Sequence, residues 1–147
     1  MAKYANGFYQ VLNPDKYVGK KVPHYRSSWE HSFMRFCDNN PSILQWASEA
    51  IHIPYRNPFT NKNTIYVPDF LIIYQNKAGE KIGELIEIKP GKQTTLEAAG
   101  RSTKDQAAAV LNMYKWQAAN AWANQNGLRF RVVTETDMFT NSGKRAR

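Results

Sequence analysis

The spacing of apolar residues changes character along the chain. Between 27 and 40, in SSWEHSFMRFCDNN, Trp29, Phe33, Phe36 and Cys37 fall three and four apart and line one face of a helix. Ser27 with Glu30 three places on reads as a capping box, and Asn39, Asn40 and Pro41 end the helix. SILQWA predicts a further short helical piece. The period then drops to two. EAIHIPY alternates and breaks at Pro54, and RNPFTNKN reads as a loop. TIYVPDFLIIY, rich in β-branched and aromatic residues, predicts one long strand. QNKAGEK is a hairpin-type turn, KIGELIEIK its partner strand, and Pro90 and Gly91 stop that strand. PGKQTTLEAAGRS shows no period.

From 103 to 125 the chain is alanine-rich and predicts a long helix, with Ser102 and Asp105 at its start and Gly127 closing it. LRFRVVTE is the last strand, and its place after a long helix predicts a return to the same sheet, parallel to a neighbour. Helix, three strands, helix, strand is an α/β order: a small mixed sheet flanked by helices. Residues 1 to 26 read as a loop-like segment with turn signals at NPDK and VPHY. The core runs from 27 to 135, and 136 to 147 form a basic tail.

A chain of 147 residues is the size of one domain and buries a core without staples. Its one cysteine, Cys37, excludes an internal disulfide and reads as a small buried hydrophobe. His24, His31 and His52 have no metal-ligand spacing, which argues against zinc. Trp29, Trp46, Trp116 and Trp122 sit in predicted helices and read as core rather than base-stacking platforms. No segment reads as a signal peptide or a membrane span, so a protein inside a cell is expected. The formal charge of +8 favours a polyanionic partner, most simply nucleic acid. The tail GKRAR reads equally well as a phosphate-binding arm or as a solubilising end.

Two acids change the picture. In a strand, Leu85, Glu87 and Lys89 share one face, and Ile86 and Ile88 the other. Glu87 and Lys89 then project together where the strand stops. Asp69 stands in an otherwise apolar run, where an unpaired charge is costly. If the two strands pair as a hairpin, Asp69 faces Glu87, and a hard divalent cation such as Mg2+ between them relieves the repulsion. Asp69 and Glu87 would bind the cation, with the Ile88 carbonyl as a third ligand and Glu30 adding a ligand or holding a bound water. Lys89 would orient the attacking water and offset transition-state charge. Blander readings stand beside each: a solvated strand-face ion pair for Glu87 and Lys89, a turn acid for Asp69, and the capping box alone for Glu30. Arg26, Lys92, Arg101 and Lys104 flank the site and could hold a DNA backbone, or be ordinary surface charge.

YRSSWE at 25–30, IPY at 53–55, YVPDF at 66–70, IEIKP at 86–90 and the pair Lys115–Trp116 together resemble the PD-(D/E)XK nucleases. Within that superfamily they resemble the head completion nucleases of large tailed bacteriophages and, more distantly, the TnsA-type transposon endonucleases. The resemblance covers 25 to 134. It implies a restriction-endonuclease-like core, Glu30, Asp69, Glu87 and Lys89 as the catalytic set, and magnesium as cofactor. It implies action on double-stranded or branched DNA late in phage assembly, in the host cytoplasm, with portal or neck proteins as partners and a place in the virion. Lys115 enters as a phosphate contact on the resemblance alone. A junction resolvase or restriction-type enzyme on the same fold, and a non-catalytic DNA-binding head-completion protein, are the rival readings. An RNA-binding module has no glycine or aromatic signature here. A monomer would make one cut and a symmetric dimer a double-strand break, and both fit.

Overall fold

The computed structural model describes residues 6–137; the tail GKRAR lies outside them. The elements, in order, are β1 (Gly7–Phe8), β2 (His24–Tyr25), α1 (Ser28–Asn39), β3 (Ile43–Ser48), β4 (Ile53–Arg56), β5 (Asn63–Tyr66), β6 (Phe70–Gln75), β7 (Lys81–Ile88), α2 (Leu96–Ala99), α3 (Thr103–Gln125) and β8 (Arg129–Val133). A single 3-10 turn, Gly91–Gln93, precedes α2. The central sheet has four strands in the order β3-β6-β7-β8. β3, β6 and β7 are antiparallel neighbours, and β8 lies parallel to β7 after the α3 crossover. The sheet is mixed and flanked by helices, as expected.

Side-chain alternation divides the core in two. Phe70, Ile72, Ile86, Ile88 and Val133 face α1, where Phe33, Met34 and Cys37 meet them. Leu71, Leu85 and Phe130 face α3, which answers with Ala119, Ala123, Trp116 and Trp122. Small alanines let the long helix sit close to the sheet. Each large aliphatic buried here stabilises the fold by about 2 kcal/mol. Ser27 caps α1, its Oγ accepting from the Glu30 N–H at 3.1 Å. Ser102 caps α3 the same way, accepting from Asp105 N–H at 3.2 Å. Gly127 follows the C-cap with φ +69°, a left-handed conformation that glycine adopts without strain.

The structure corrects three local expectations. SILQWA is not helical. It forms β3, paired with β6 from Ile43↔Tyr74 to Ser48↔Phe70. Its leucine, glutamine and alanine favour a helix locally, but a six-residue segment gains more by laddering onto a core strand and burying Ile43, Trp46 and Ala47. Trp46 is therefore a strand residue, though its reading as core holds. TIYVPDFLIIY is two strands. β5 ends at Tyr66 and pairs with β4, while β6 begins at Phe70 in the central sheet. Pro68 between them has no N–H to give a ladder, and the chain changes sheets there. EAIHIPY does not stop at Pro54: β4 runs through it to Arg56, with Pro54 opposite Ile65 in a two-stranded hairpin.

The segment before α1 is fastened to the core. Asp38, at the end of α1, accepts from Tyr9 Oη at 2.6 Å, Leu12 N–H at 2.8 Å and Asn13 N–H at 3.1 Å. Lys16 Nζ adds bonds to the carbonyls of Asp38 and Asn40. No helix among the described residues is long and apolar enough to cross a membrane.

Candidate active site

The register of the central sheet lines up a row of acids. Ser48 pairs with Phe70, and Phe70 with Ile86. One step further on, Glu49 directly follows β3, Asp69 directly precedes β6, and Glu87 is the penultimate residue of β7. By alternation Asp69 and Glu87 share the face that carries Leu71, Leu85 and α3.

Glu87 is buried, at 5 % exposure, so it is not the surface acid of a solvated strand face. Its Oε1 accepts from Tyr66 Oη at 2.7 Å, and its Oε2 lies 3.5 Å from Lys89 Nζ. Burial pushes the Glu87 carboxyl above the ordinary carboxylate range, against the pull of Lys89, the Tyr66 hydroxyl and Lys115. Asp69 keeps a partly exposed edge, and its Oδ2 accepts from the Ile88 N–H at 2.8 Å. Burial, then the charges of Glu87 and Glu30, hold its carboxyl well above the usual range. The Glu87 charge thus works against ionisation of Asp69, while burial is what raises Glu87 itself.

Glu30 faces the same place from α1. It serves the cap in part: its Oε1 accepts from Arg26 N–H at 3.2 Å, beside the bond from its own N–H to Ser27. Burial raises its carboxyl, against Arg26 and Ser27, and Glu49 adds repulsion. A cleft of about 260 Å³ opens between Ser27, Trp29 and Glu30 on one side and Ile88, Lys89 and Pro90 on the other. The structure thus brings Glu30, Asp69, Glu87, Ile88 and Lys89 together from separate elements.

Lys115 joins them from α3. Its ammonium stands 5.6 Å from the centre of the Tyr66 ring. Burial lowers its pKa, and the charge of Lys89 lowers it further, against Glu87 and Asp69. Spacing along the helix gave no reason to choose it; the sheet beneath does.

The remaining basic candidates divide. Arg26 Nη1 pairs with Glu49 Oε2 at 2.5 Å. Lys92 Nζ lies 4.0 Å from Asp105 Oδ2, at the start of α3. Arg101 and Lys104 are exposed at the α2–α3 junction, and their side chains make no hydrogen bond or ion pair among the described residues.

Two participants escaped the sequence. Tyr66 read only as a strand aromatic, yet its hydroxyl is the donor that fixes Glu87. Glu49 was hidden by reading SILQWA as a helix. Its N–H donates to the Asp69 carbonyl at 2.9 Å, and it holds a left-handed φ of +51°, costly for a non-glycine residue. Placing SILQWAS on a strand would have put Glu49 beside Asp69.

Comparison with known proteins bears on the same residues. The family described as the TnsA-like endonuclease N-terminal domain matches residues 40–135. The chain is also similar to the head completion nuclease of Enterobacteria phage T4, 36% identical over 141 residues, covering 88% of this chain and 91% of that one.

Proposed function

The chain belongs to the TnsA-like endonuclease family, and from that premise we propose that it is a magnesium-dependent DNA endonuclease that cuts at ends or branched structures during completion of phage heads. The observation that carries the chemistry is the pair Asp69–Glu87, two carboxyls raised by burial, with Glu87 repelling Asp69, set beside Lys89. The +8 charge supports DNA as the partner. The likeness to a phage head completion nuclease, over nearly the whole of both chains, supports the role. That role places it in the host cytoplasm during assembly, near portal or neck proteins and with a place in the virion.

The donor set fits magnesium. Asp69, Glu87 and the Ile88 carbonyl are hard oxygen donors, and no cysteine or histidine competes among them. Among the described residues no three acids, histidines or cysteines form a ready cage. Magnesium does not require one, because it keeps several waters and uses one or two carboxylates. Held there, it would supply charge neutralisation and an acidified water. Tyr66 donates to Glu87 and the Ile88 N–H to Asp69, which limits the orientations of the two carboxylates that would hold the ion. Lys89, whose Nζ lies 3.5 Å from Glu87 Oε2, would orient a water and offset charge on the phosphate in the transition state. Lys115 adds a second half-buried positive charge on the α3 side. Glu30 closes the cleft opposite Lys89. Arg26, Lys92, Arg101 and Lys104 would hold the DNA backbone around it.

The test is cleavage of linear, supercoiled and flapped DNA with Mg2+ or EDTA, using wild type and Glu87→Gln in parallel. Mg2+-dependent products from wild type, and Glu87→Gln slower by about 1000-fold or more, are expected. Binding without cleavage of any substrate would overturn the enzyme and leave a structural DNA-end protein.

A further inference from the structure

The β4–β5 hairpin plays no part in the central sheet. It forms a separate two-stranded unit, paired from Ile53↔Tyr66 to Arg56↔Asn63. Its root is buried: Ile53 and Tyr66 belong to the core under α3, and Tyr66 also holds Glu87. Its outer part is not. At the tip stands Phe59, 60% exposed, with Arg56 and Lys62 exposed on either side. No acid occurs between 53 and 66.

The tip is ordered without help from the phenylalanine ring. Asn57 Oδ1 accepts from the N–H groups of Phe59 at 2.8 Å and Thr60 at 3.2 Å. Asn57 N–H donates to the Lys62 carbonyl, and Asn61 N–H to the Asn57 carbonyl. Asn61 takes a left-handed φ of +58°, and its Oδ1 accepts from Arg56 Nε at 2.8 Å. The polar asparagines build the turn, and Phe59 contributes an apolar ring to water. A ring displayed on a rigid tip loses little entropy when it meets a flat partner. From Tyr66 to Asn63 the strand spans about 10 Å, at about 3.3 Å per residue, and Phe59 lies in the loop beyond its end.

We propose that this hairpin is a DNA-stacking arm: Phe59 stacks on an unpaired or frayed base a few steps from the cut, while Arg56 and Lys62 hold the flanking phosphates. It deepens the nuclease reading above and rests on it for the cut. The substrate class it selects is DNA with unpaired bases, such as flaps, splayed ends and branch points, because an unstacked base offers its face to the ring without the cost of unstacking a duplex step. Charge complementarity favours DNA over an acid-free protein surface as the partner.

The experiment uses the full chain and two labelled substrates of equal length, one with a single-stranded flap and one continuous duplex. The flap carries 2-aminopurine, whose fluorescence is quenched by an aromatic ring stacked on it. Phe59→Ala and Phe59→Trp are compared with wild type, with melting temperatures checked first. Expected is a loss of about 10-fold in kcat/KM on the flap for Phe59→Ala. On duplex the change stays under about 3-fold. Phe59→Trp restores the flap preference, and Arg56→Ala/Lys62→Ala weakens binding to both DNAs and flattens its salt dependence. In EDTA, wild type and Phe59→Trp quench the 2-aminopurine and Phe59→Ala does not. Wild-type quenching and flap cleavage by Phe59→Ala would overturn the proposal and point to a protein as the partner of the tip. If wild type cuts no DNA, the nuclease reading fails, and the quenching in EDTA still decides the arm.

Discussion

Asp38 and Asp69 are both acids withdrawn from water, and the protein treats them in opposite ways. Asp38 is 1 % exposed and is wrapped in donors from Tyr9, Leu12 and Asn13. Burial alone would push its carboxyl up, but those hydrogen bonds outweigh it and leave the pKa below the ordinary value. Asp69 accepts from the Ile88 N–H and meets two further acids, and its pKa stands well above the ordinary value. A carboxylate whose lone pairs the protein fills is a fastener. One with a single donor and set against other acids fits the proposed cation site. Asp38 thus ties the fold together, while Asp69 stands raised beside Glu87 and Glu30.

The comparison breaks first on activity. Asp69→Asn should lower single-turnover cleavage in Mg2+ by about 1000-fold or more, a barrier of about 4 kcal/mol. Asp38→Ala, assayed at a temperature where circular dichroism shows it folded, should stay within about 3-fold of wild type. Equal losses in the two folded variants would erase the distinction between fastener and site.

Stability is next in size and runs the other way. Asp38→Ala leaves the Tyr9 hydroxyl and two backbone N–H groups short of their acceptor, at a cost of about 3 kcal/mol. For a chain of this length that is about 10 °C in melting temperature, measured by calorimetry.

Asp69→Asn should instead melt higher than wild type in EDTA at neutral pH, by about 1 kcal/mol or about 3 °C, because it removes one of two like charges that repel. The pH dependence has a definite sign for each acid. Asp69 is raised, so the stability it lends when protonated is complete below the unfolded-state pKa of about 3.9 and is lost as pH rises through its higher folded value. The advantage of Asp69→Asn should therefore grow with pH across that window. Asp38 is lowered, so its contribution is present above about 3.9 and is lost as pH falls through its depressed value. Melting curves of wild type and both variants from acid to neutral pH in EDTA check both signs, and a Tm gap for Asp69→Asn that shrinks with pH would contradict the assignment.

What the sequence disclosed follows from range. α3 was legible to its ends, because alanine content, a Ser-x-x-Asp start and a closing glycine are local signals. The pairing of Asp69 with Glu87 was legible because a tight turn joins their strands and sets the register. β3 was not legible. Its local preference is helical, and only its neighbour β6, more than 20 residues on, makes it a strand. With it went Glu49, which has no motif of its own. Tyr66 was lost for a related reason: the break at Pro68 turns it away from the central sheet and back toward Glu87, a fold-back that alternation along one continuous strand does not contain. Lys115 is the converse case, an isolated basic residue on an alanine-rich helix whose position acquires meaning from the acids below it.

The finest test of the contrast is the bond that makes Glu87 intermediate between the two acids. Glu87 is raised like Asp69, yet it has one strong donor, the Tyr66 hydroxyl at 2.7 Å, which pulls its pKa down. Tyr66→Phe removes that donor and keeps the ring that packs in the core and underlies Lys115. Stability should change by less than about 1 kcal/mol. Cleavage should fall by roughly 3- to 10-fold. Without the hydroxyl the Glu87 pKa rises further, so the acid limb of the kcat/KM profile should move to higher pH. A rate loss with an unmoved limb would mean that the hydroxyl only fixes the position of Glu87. A moved limb would mean that the Tyr66 hydroxyl, beyond the single backbone donor that Asp69 also has, sets the pH at which Glu87 ionises.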